Sequence, residues 1–302
     1  MNRLTVVTGP TASGKTTLAI ELARAIGTEI ISADSRQLFR DLSIGTARPT
    51  PEELAAVPHH FIATLDLDEY YSAAQYEEDV LRLLPDIFSR CGGNALMCGG
   101  SMMYVDAVCD GIDLLPTVSD ENRARAYALY EAGGLPAVIL ELERLDPVYL
   151  RQAPDLKNHK RLVHALEISL EAGRPYSSML TGEKKSRPFG ILKFAIDHPR
   201  EELFSRINRR VEVMMSQGLL EEVRRIYPHR QLNSLNTVGY KELFAYLDGQ
   251  WDLATAVARI QKNTRVYAKK QLTWLHRDPS VIWLDPSRPL LPQIMGRLDA
   301  PQ

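Results

Sequence analysis

The run Gly9-Pro10-Thr11-Ala12-Ser13-Gly14-Lys15-Thr16 has the spacing G-x-x-x-x-G-K-[ST]. Such a run cradles phosphate. Its glycines let backbone N–H groups close round phosphate oxygens, and the N-terminus of the next helix adds partial positive charge. Lys15 adds a full charge, and the Thr16 hydroxyl suits Mg²⁺. A second chemical group follows in Asp34-Ser35-Arg36-Gln37. An acid at the carboxyl end of a strand in an open parallel sheet points into the ligand crevice. An ionised carboxylate there can take a proton from an attacking nucleophile. The bland alternative for Asp34 is a cap on the next helix. An ATP-hydrolysing enzyme ends a later apolar strand with an acid that organises magnesium and water. Here the run Ala95 to Cys98 enters Gly99-Gly100-Ser101 instead. That weakens the reading as an ATP-hydrolysing enzyme and leaves the loop free to hold a phosphate group that is lost rather than passed on.

These groups need elements to hold them. Leu4 to Val7, Ile30 to Ala33, Ala95 to Cys98, Leu192 to Ile196 and Val281 to Leu284 read as buried strands. Leu18 to Ala25 reads as a helix, stopped by Gly27. Strands separated by helical stretches imply an α/β fold, a P-loop-type parallel sheet covered by helices on both faces. From about Asp120 to about Gly182 the pattern is helical, clearest at Leu162 to Ile168. We expect an all-helical insertion domain over 116–189, with the core formed by 1–115 and 190–302. The last third predicts long helices over Arg206 to Tyr227 and Leu253 to His276, and a loose tail from Pro286 to Gln302.

The chain has 302 residues, 45% hydrophobic, and a formal net charge of −2. A protein that coats nucleic acid would be more basic, so any RNA contact must come from a local patch. Leu253 to Arg277 is such a patch: Arg259, Lys262, Arg265, Lys269, Lys270 and Arg277 face no acid in that stretch, and Tyr267, Trp274 and His276 are interleaved. The three cysteines, Cys91, Cys98 and Cys109, form no Cys-x-x-Cys pair and no zinc spacing, which fits a reducing compartment. No apolar run reaches a membrane span or a signal-peptide core. We expect a cytoplasmic protein. The pair His59-His60 reads as a packing element, since no carboxylate or thiol stands near it at ligand spacing.

Taken together the motifs resemble one family. The phosphate loop, Asp34-Ser35-Arg36-Gln37, Gly45-Thr46-Ala47-Arg48-Pro49, Pro58-His59-His60 and Tyr71 to Tyr76 resemble the tRNA dimethylallyltransferases (the IPP transferase family). So do Gly99 to Tyr104, Arg161 to Glu167, Arg206 to Arg210, Val238 to Glu242 and Thr264 to Trp274, in family order over nearly the whole chain. Departures are Asn158 for the usual Asp, His164 for Arg, Ser101 for Thr and Phe39 for Tyr. The three cysteines of these residues give no Cys/His spacing like the zinc-finger tail of eukaryotic relatives.

The resemblance implies transfer of a dimethylallyl group from its diphosphate to N6 of an adenine beside the anticodon. It makes Asp34 the proton acceptor. It gives the diphosphate to Gly9, Pro10, Thr11, Ala12, Ser13, Gly14, Lys15, Thr16 and Arg210, with Arg206 the second arginine. Mg²⁺ is the implied cofactor, on Thr16. The implied contacts with the tRNA anticodon loop are Asp34, Ser35, Arg36, Gln37, Ser101, Arg123, Lys160, Arg161, Leu162, Val163, His164, Arg265, Lys269 and Lys270. We expect a monomer. Two rival readings are a P-loop small-molecule kinase and prenyl transfer to a free adenine nucleotide; the basic C-terminal third argues against both.

Overall fold

The structure, a computed structural model, describes residues 2–153 and 155–299. The chain forms two compact units, Met1–Asp110 with Ser186–Gln302, and Gly111–Lys185.

The first unit holds β1 (Arg3–Thr8), α1 (Lys15–Ile26), β2 (Ile30–Ser32), α2 (Pro51–Ala56), β3 (His59–His60), α3 (Ala73–Arg90), β4 (Asn94–Cys98) and α4 (Met102–Asp110). The sheet is six strands in the order β3-β2-β4-β1-β5-β6, with β5 at Gly190–Ile196 and β6 at Val281–Leu284. Every pairing is parallel. Burial on both faces explains why β1 reads Leu4-Thr5-Val6-Val7 without alternation. One face packs Leu4, Val6, Ile31 and Met97 against Val80, Leu84 and Ile87 of α3 and Val105 of α4. The other packs Val7, Leu96, Phe194 and Ile196 against Leu18, Leu22 and Ala23 of α1. Each large apolar side chain so buried stabilises by about 1.5–3 kcal/mol.

Three elements differ from the sequence expectation. The stretch Arg206 to Tyr227 is two helices, α8 (Arg200–Ser216) and α9 (Leu219–Ile226). Gly218 takes φ 98° between them, a left-handed turn that favours glycine. The tail is not loose through its described part. Leu290–Leu298 forms a helix whose Ile294 is fully buried with the α1 cluster, and Pro292 sits in its first turn, where a missing N–H costs little. The end of that tail, 300–302, lies outside the described residues. Finally, β3 is two residues long, too short for any periodicity to reveal.

The second unit is helical among its described residues: α5 (Asp120–Leu145), α6 (Pro147–Gln152) and α7 (His159–Ala172), with a 3₁₀ turn at Tyr176–Met179. Its own core gathers Ala126, Val138, Leu142, Leu162 and Leu166. In the first unit the remaining long elements are α10 (Tyr240–Leu247) and α11 (Leu253–Leu275), followed by α12 (Leu290–Leu298). Among the described residues no helix is long and apolar enough to cross a membrane.

Candidate active site

The loop after β1, the Asp34 turn after β2 and the Gly99-Gly100 turn after β4 lie together at the carboxyl ends of adjacent strands, where open α/β sheets bind ligands. The approach is tight. A Cβ on Gly99 would stand 2.1 Å from the Ala33 carbonyl oxygen, so only glycine fits there. Ala33 N–H donates to the Cys98 carbonyl, and Ser101 N–H donates to the Ala33 carbonyl.

The phosphate loop is braced from remote sequence. Gln271 of α11 accepts from Thr11 N–H (2.9 Å) and donates to the Gly100 carbonyl (2.8 Å), which ties the loop to the β4 turn. His198 is within 2.9 Å of the Ser13 carbonyl through Nε2, and Arg206 Nε donates to the Ala12 carbonyl at 2.8 Å. Lys15 Nζ donates to the Pro10 carbonyl at 2.8 Å. Burial pulls the Lys15 pKa down from 10.5 to about 8. The Ser13 hydroxyl is buried with no partner among the described residues. A phosphate oxygen would satisfy it.

Arginines 206 and 210 stand four apart on α8, on one side of the helix, while Leu203, Ile207 and Val211 form its buried stripe. Arg210 Nη1 donates to the Thr11 hydroxyl at 3.3 Å, and burial lowers its pKa, opposed by the Asp34 charge. Arg206 is engaged through Nε with the loop backbone. The two arginines thus reach the same loop.

Asp34 Oδ1 accepts from Arg36 N–H (2.9 Å) and Gln37 N–H (3.3 Å). This is a turn, with no helix after it, so the capping alternative falls away. Ser35 N–H donates to the Ser101 hydroxyl at 2.9 Å. Gln37 Nε2 donates to the carbonyls of Thr46 and Ala47. The Arg36 guanidinium donates to the carbonyls of Asn233 and Ser234, and burial lowers its pKa.

A cleft of about 100 Å³ joins Thr11, Lys15, Asp34, Gln37 and Arg210, while Ser13, Gly14 and Arg206 line a second opening that shares Lys15, Thr16 and Arg210 with it. Ile30, Ser32 and Asp34 line the cleft along one face of the β2 segment, as alternation dictates, and Lys15, Thr16 and Ala19 line it from α1. Arg210, Gln271 and Tyr267 also line it.

Other candidates are placed elsewhere. Arg265 donates to Asn208 and lies over the Phe204 ring, so it is committed to α8. Lys269 and Lys270 are exposed on α11. Trp274 Nε1 donates to Asp106 at 2.8 Å, and His276 stacks on Trp283, so neither is offered to a base. His60 meets Glu29 at 2.6 Å. Sequence spacing hides that carboxylate, which the fold brings in from the start of β2.

In the helical unit Lys160, Arg161 and His164 are exposed, and Arg123 lies 3.9 Å from Asp120. Leu162 and Val163 correct the sequence expectation: both are buried in that unit's core, so their side chains pack rather than reach a ligand. Asn158 Oδ1 accepts from Arg161 N–H and caps α7, the job an Asp would do there.

Gln271, inside the Thr264 to Trp274 motif, and His198, outside every motif, are two functional residues that the sequence does not single out. A buried polar residue on an otherwise apolar helix stripe is the signal for Gln271.

The sequence model of the family described as IPP transferase matches residues 37–278. The chain is 52% identical over 286 residues to tRNA dimethylallyltransferase 2 of Parabacteroides distasonis, covering 95% of each chain. It is 53% identical over 285 residues to tRNA dimethylallyltransferase 1 of Phocaeicola vulgatus, covering 94% of each. Its fold matches the crystal structure of a tRNA isopentenylpyrophosphate transferase from Bacillus halodurans with TM-score 0.71 and 34% identity, covering 98% of this chain and 94% of that one. A eukaryotic dimethylallyltransferase acting on tRNA, at 24% identity and TM-score 0.77, shares the fold over 94% of this chain and 74% of its own. Matched along most of its length by the family's sequence model and by these relatives, the chain belongs to the IPP transferase family.

Proposed function

We propose that this chain transfers the dimethylallyl group of dimethylallyl diphosphate to N6 of an adenine beside the anticodon of tRNA, releasing diphosphate. One observation carries the reading: the anion cradle (Lys15, Thr16, Arg210), the carboxylate of Asp34 and the apolar side chains of Ala19, Ile30 and Ile62 line the same cleft. Its size, about 100 Å³, suits a short hydrocarbon chain; a cavity of about 150 Å³ takes benzene. The named relatives support the acceptor and the group transferred.

The chemistry follows from the lining. The N6 amine attacks C1 of the donor, the C–N bond forms as the C–O bond to diphosphate breaks, and Asp34 takes the proton the amine sheds. Lys15, Arg210 and the loop N–H groups stabilise the charge that grows on the departing diphosphate. Arg206, one turn earlier on α8, steadies the loop at Ala12. Among the described residues the Thr16 hydroxyl makes no hydrogen bond, and no cluster of three carboxylate, histidine or cysteine side chains could hold a metal alone. The donor set therefore fits Mg²⁺ held by Thr16, water and the diphosphate itself. When bound, the ion neutralises charge on the leaving group.

For the acceptor, Ser35, Ser101, Gln37 and Arg36 surround Asp34 and are proposed to frame the extruded adenine, with Lys269 and Lys270 meeting phosphates. Lys160, Arg161 and His164 are proposed contacts from the helical unit. A tRNA acceptor fits action in the cytoplasm. In a test, the chain is offered dimethylallyl diphosphate with tRNA, with AMP, or with ATP and a small alcohol. Diphosphate release with tRNA alone supports the reading. Release with AMP at an equal rate favours a free nucleotide as acceptor, and ADP formation favours a kinase.

A further inference from the structure

Glu222 of α9 is 3% exposed and accepts five hydrogen bonds. Its Oε2 takes Ser43 N–H (3.1 Å), the Ser43 hydroxyl (3.1 Å) and Ile44 N–H (2.8 Å). Its Oε1 takes Gly45 N–H (3.0 Å) and the Tyr240 hydroxyl (2.7 Å). Three successive backbone N–H groups thus converge on one carboxylate that arrives from about 180 residues away in sequence, an internal anion in a backbone nest. The Tyr240 ring lies so close to Gly45 that a Cβ there would stand 2.5 Å from it. Nothing in the proposed reaction uses Glu222.

What the clamp holds is a wall. The loop from Ser43 to Pro49 gives Thr46, Ala47 and Pro49 to the reaction cleft. Ala47 and Pro49 also line an open groove of about 530 Å³, and Thr16 and Arg210 border both spaces. Ala47 has φ 47°, a left-handed conformation that costs a non-glycine residue and persists only where surroundings enforce it. Gln37 holds the Thr46 and Ala47 carbonyls, Ala47 N–H donates to the Ile44 carbonyl, and Glu222 fixes the preceding turn at Ser43 to Gly45.

We infer that Glu222 is a positioning residue whose clamp on the Ser43–Pro49 loop sets the length of prenyl chain the cleft accepts. This rests on the reading of the cleft as a prenyl diphosphate site. With the wall in place a five-carbon chain fits and a ten-carbon chain does not. With the wall loosened, the longer chain gains the adjoining groove.

The test is binding of dimethylallyl and geranyl diphosphate, with Mg²⁺ and without tRNA, measured by calorimetry on wild type, Glu222→Gln and Ala47→Gly. The amide of Glu222→Gln presents N–H groups to at least two donors, so the clamp opens. Ala47→Gly relaxes the left-handed residue at no steric cost, so it keeps the fold if Glu222→Gln does not. Wild type should prefer the five-carbon donor. Glu222→Gln should shift the ratio of the two dissociation constants toward the ten-carbon donor by about tenfold, the scale of losing hydrogen bonds to a charged group; Ala47→Gly, which removes a cleft-lining methyl and no hydrogen bond, should shift it in the same direction by less. A merely structural role would lower the melting temperature and leave that ratio alone. An unchanged ratio in Ala47→Gly, or in a folded Glu222→Gln, overturns the inference while the prenyl reading stands. A wild type that binds neither diphosphate removes both.

Discussion

Raising the pH from 7 to 9 should discharge Lys15 and so weaken capture of the diphosphate donor. Burial holds the Lys15 pKa at about 8, below its ordinary 10.5, so the charge is lost as pH rises through about 8. One unit below that value about nine in ten molecules carry the charge; one unit above, about one in ten. The donor kcat/KM, which reports the free enzyme, should therefore fall about tenfold across this window. Other groups lining the cleft leave the window clear: burial pushes Cys98 up to about 11 and Tyr267 up to about 12. Initial rates at saturating tRNA and fixed ionic strength give the profile. Lys15→Arg keeps its charge throughout and should be slower but flat over the same range. A flat wild-type profile, or the same decline in Lys15→Arg, would refute the assignment of Lys15 to the donor.

Asp34→Asn removes the proton acceptor and keeps its shape, so kcat should fall by about 10² to 10⁴ with tRNA affinity unchanged in a filter-binding assay. Gln271→Ala unties the phosphate loop from the β4 turn and strands Thr11 N–H; calorimetry should show weaker donor binding, and thermal melts a loss of about 1–3 kcal/mol. Replacing Lys269 and Lys270 by Ala should flatten the dependence of log K for tRNA on log salt by about one to two units and leave donor binding intact. Arg265→Ala should flatten it less, because that guanidinium is already spent on the Asn208 side chain.

Local signals made the sheet and half of the site legible. Val6-Val7 before Gly9, and Ile30-Ile31 before Asp34, announce strands and what stands at their ends, because strand and motif are contiguous. The braces were not legible. Gln271 reaches Thr11 across 260 positions and His198 reaches Ser13 across 185, and neither distance leaves a trace in spacing. The pair His59-His60 shows the same limit, since Glu29 is found only when β2 and β3 pair. Gly218 was the local mark of the break between α8 and α9, overridden by the helical character on each side. The tail read as loose from its prolines, yet Ile294 and Met295 give α12 an apolar side that the α1 cluster covers. Basic residues of α11 read as one RNA face, but a charge pattern does not say which arginine a neighbouring helix has claimed.

The central claim is a C–N bond to adenine made in the cleft shared by Lys15 and Asp34. Its most direct test incubates the chain with dimethylallyl diphosphate, Mg²⁺ and unmodified tRNA, digests the tRNA to nucleosides and weighs them. The account predicts an adenosine heavier by one C₅H₈ unit, with the added group on N6, in an amount equal to the diphosphate released. Unmodified adenosine at the end of the reaction, or the C₅ unit on any other atom, would contradict it.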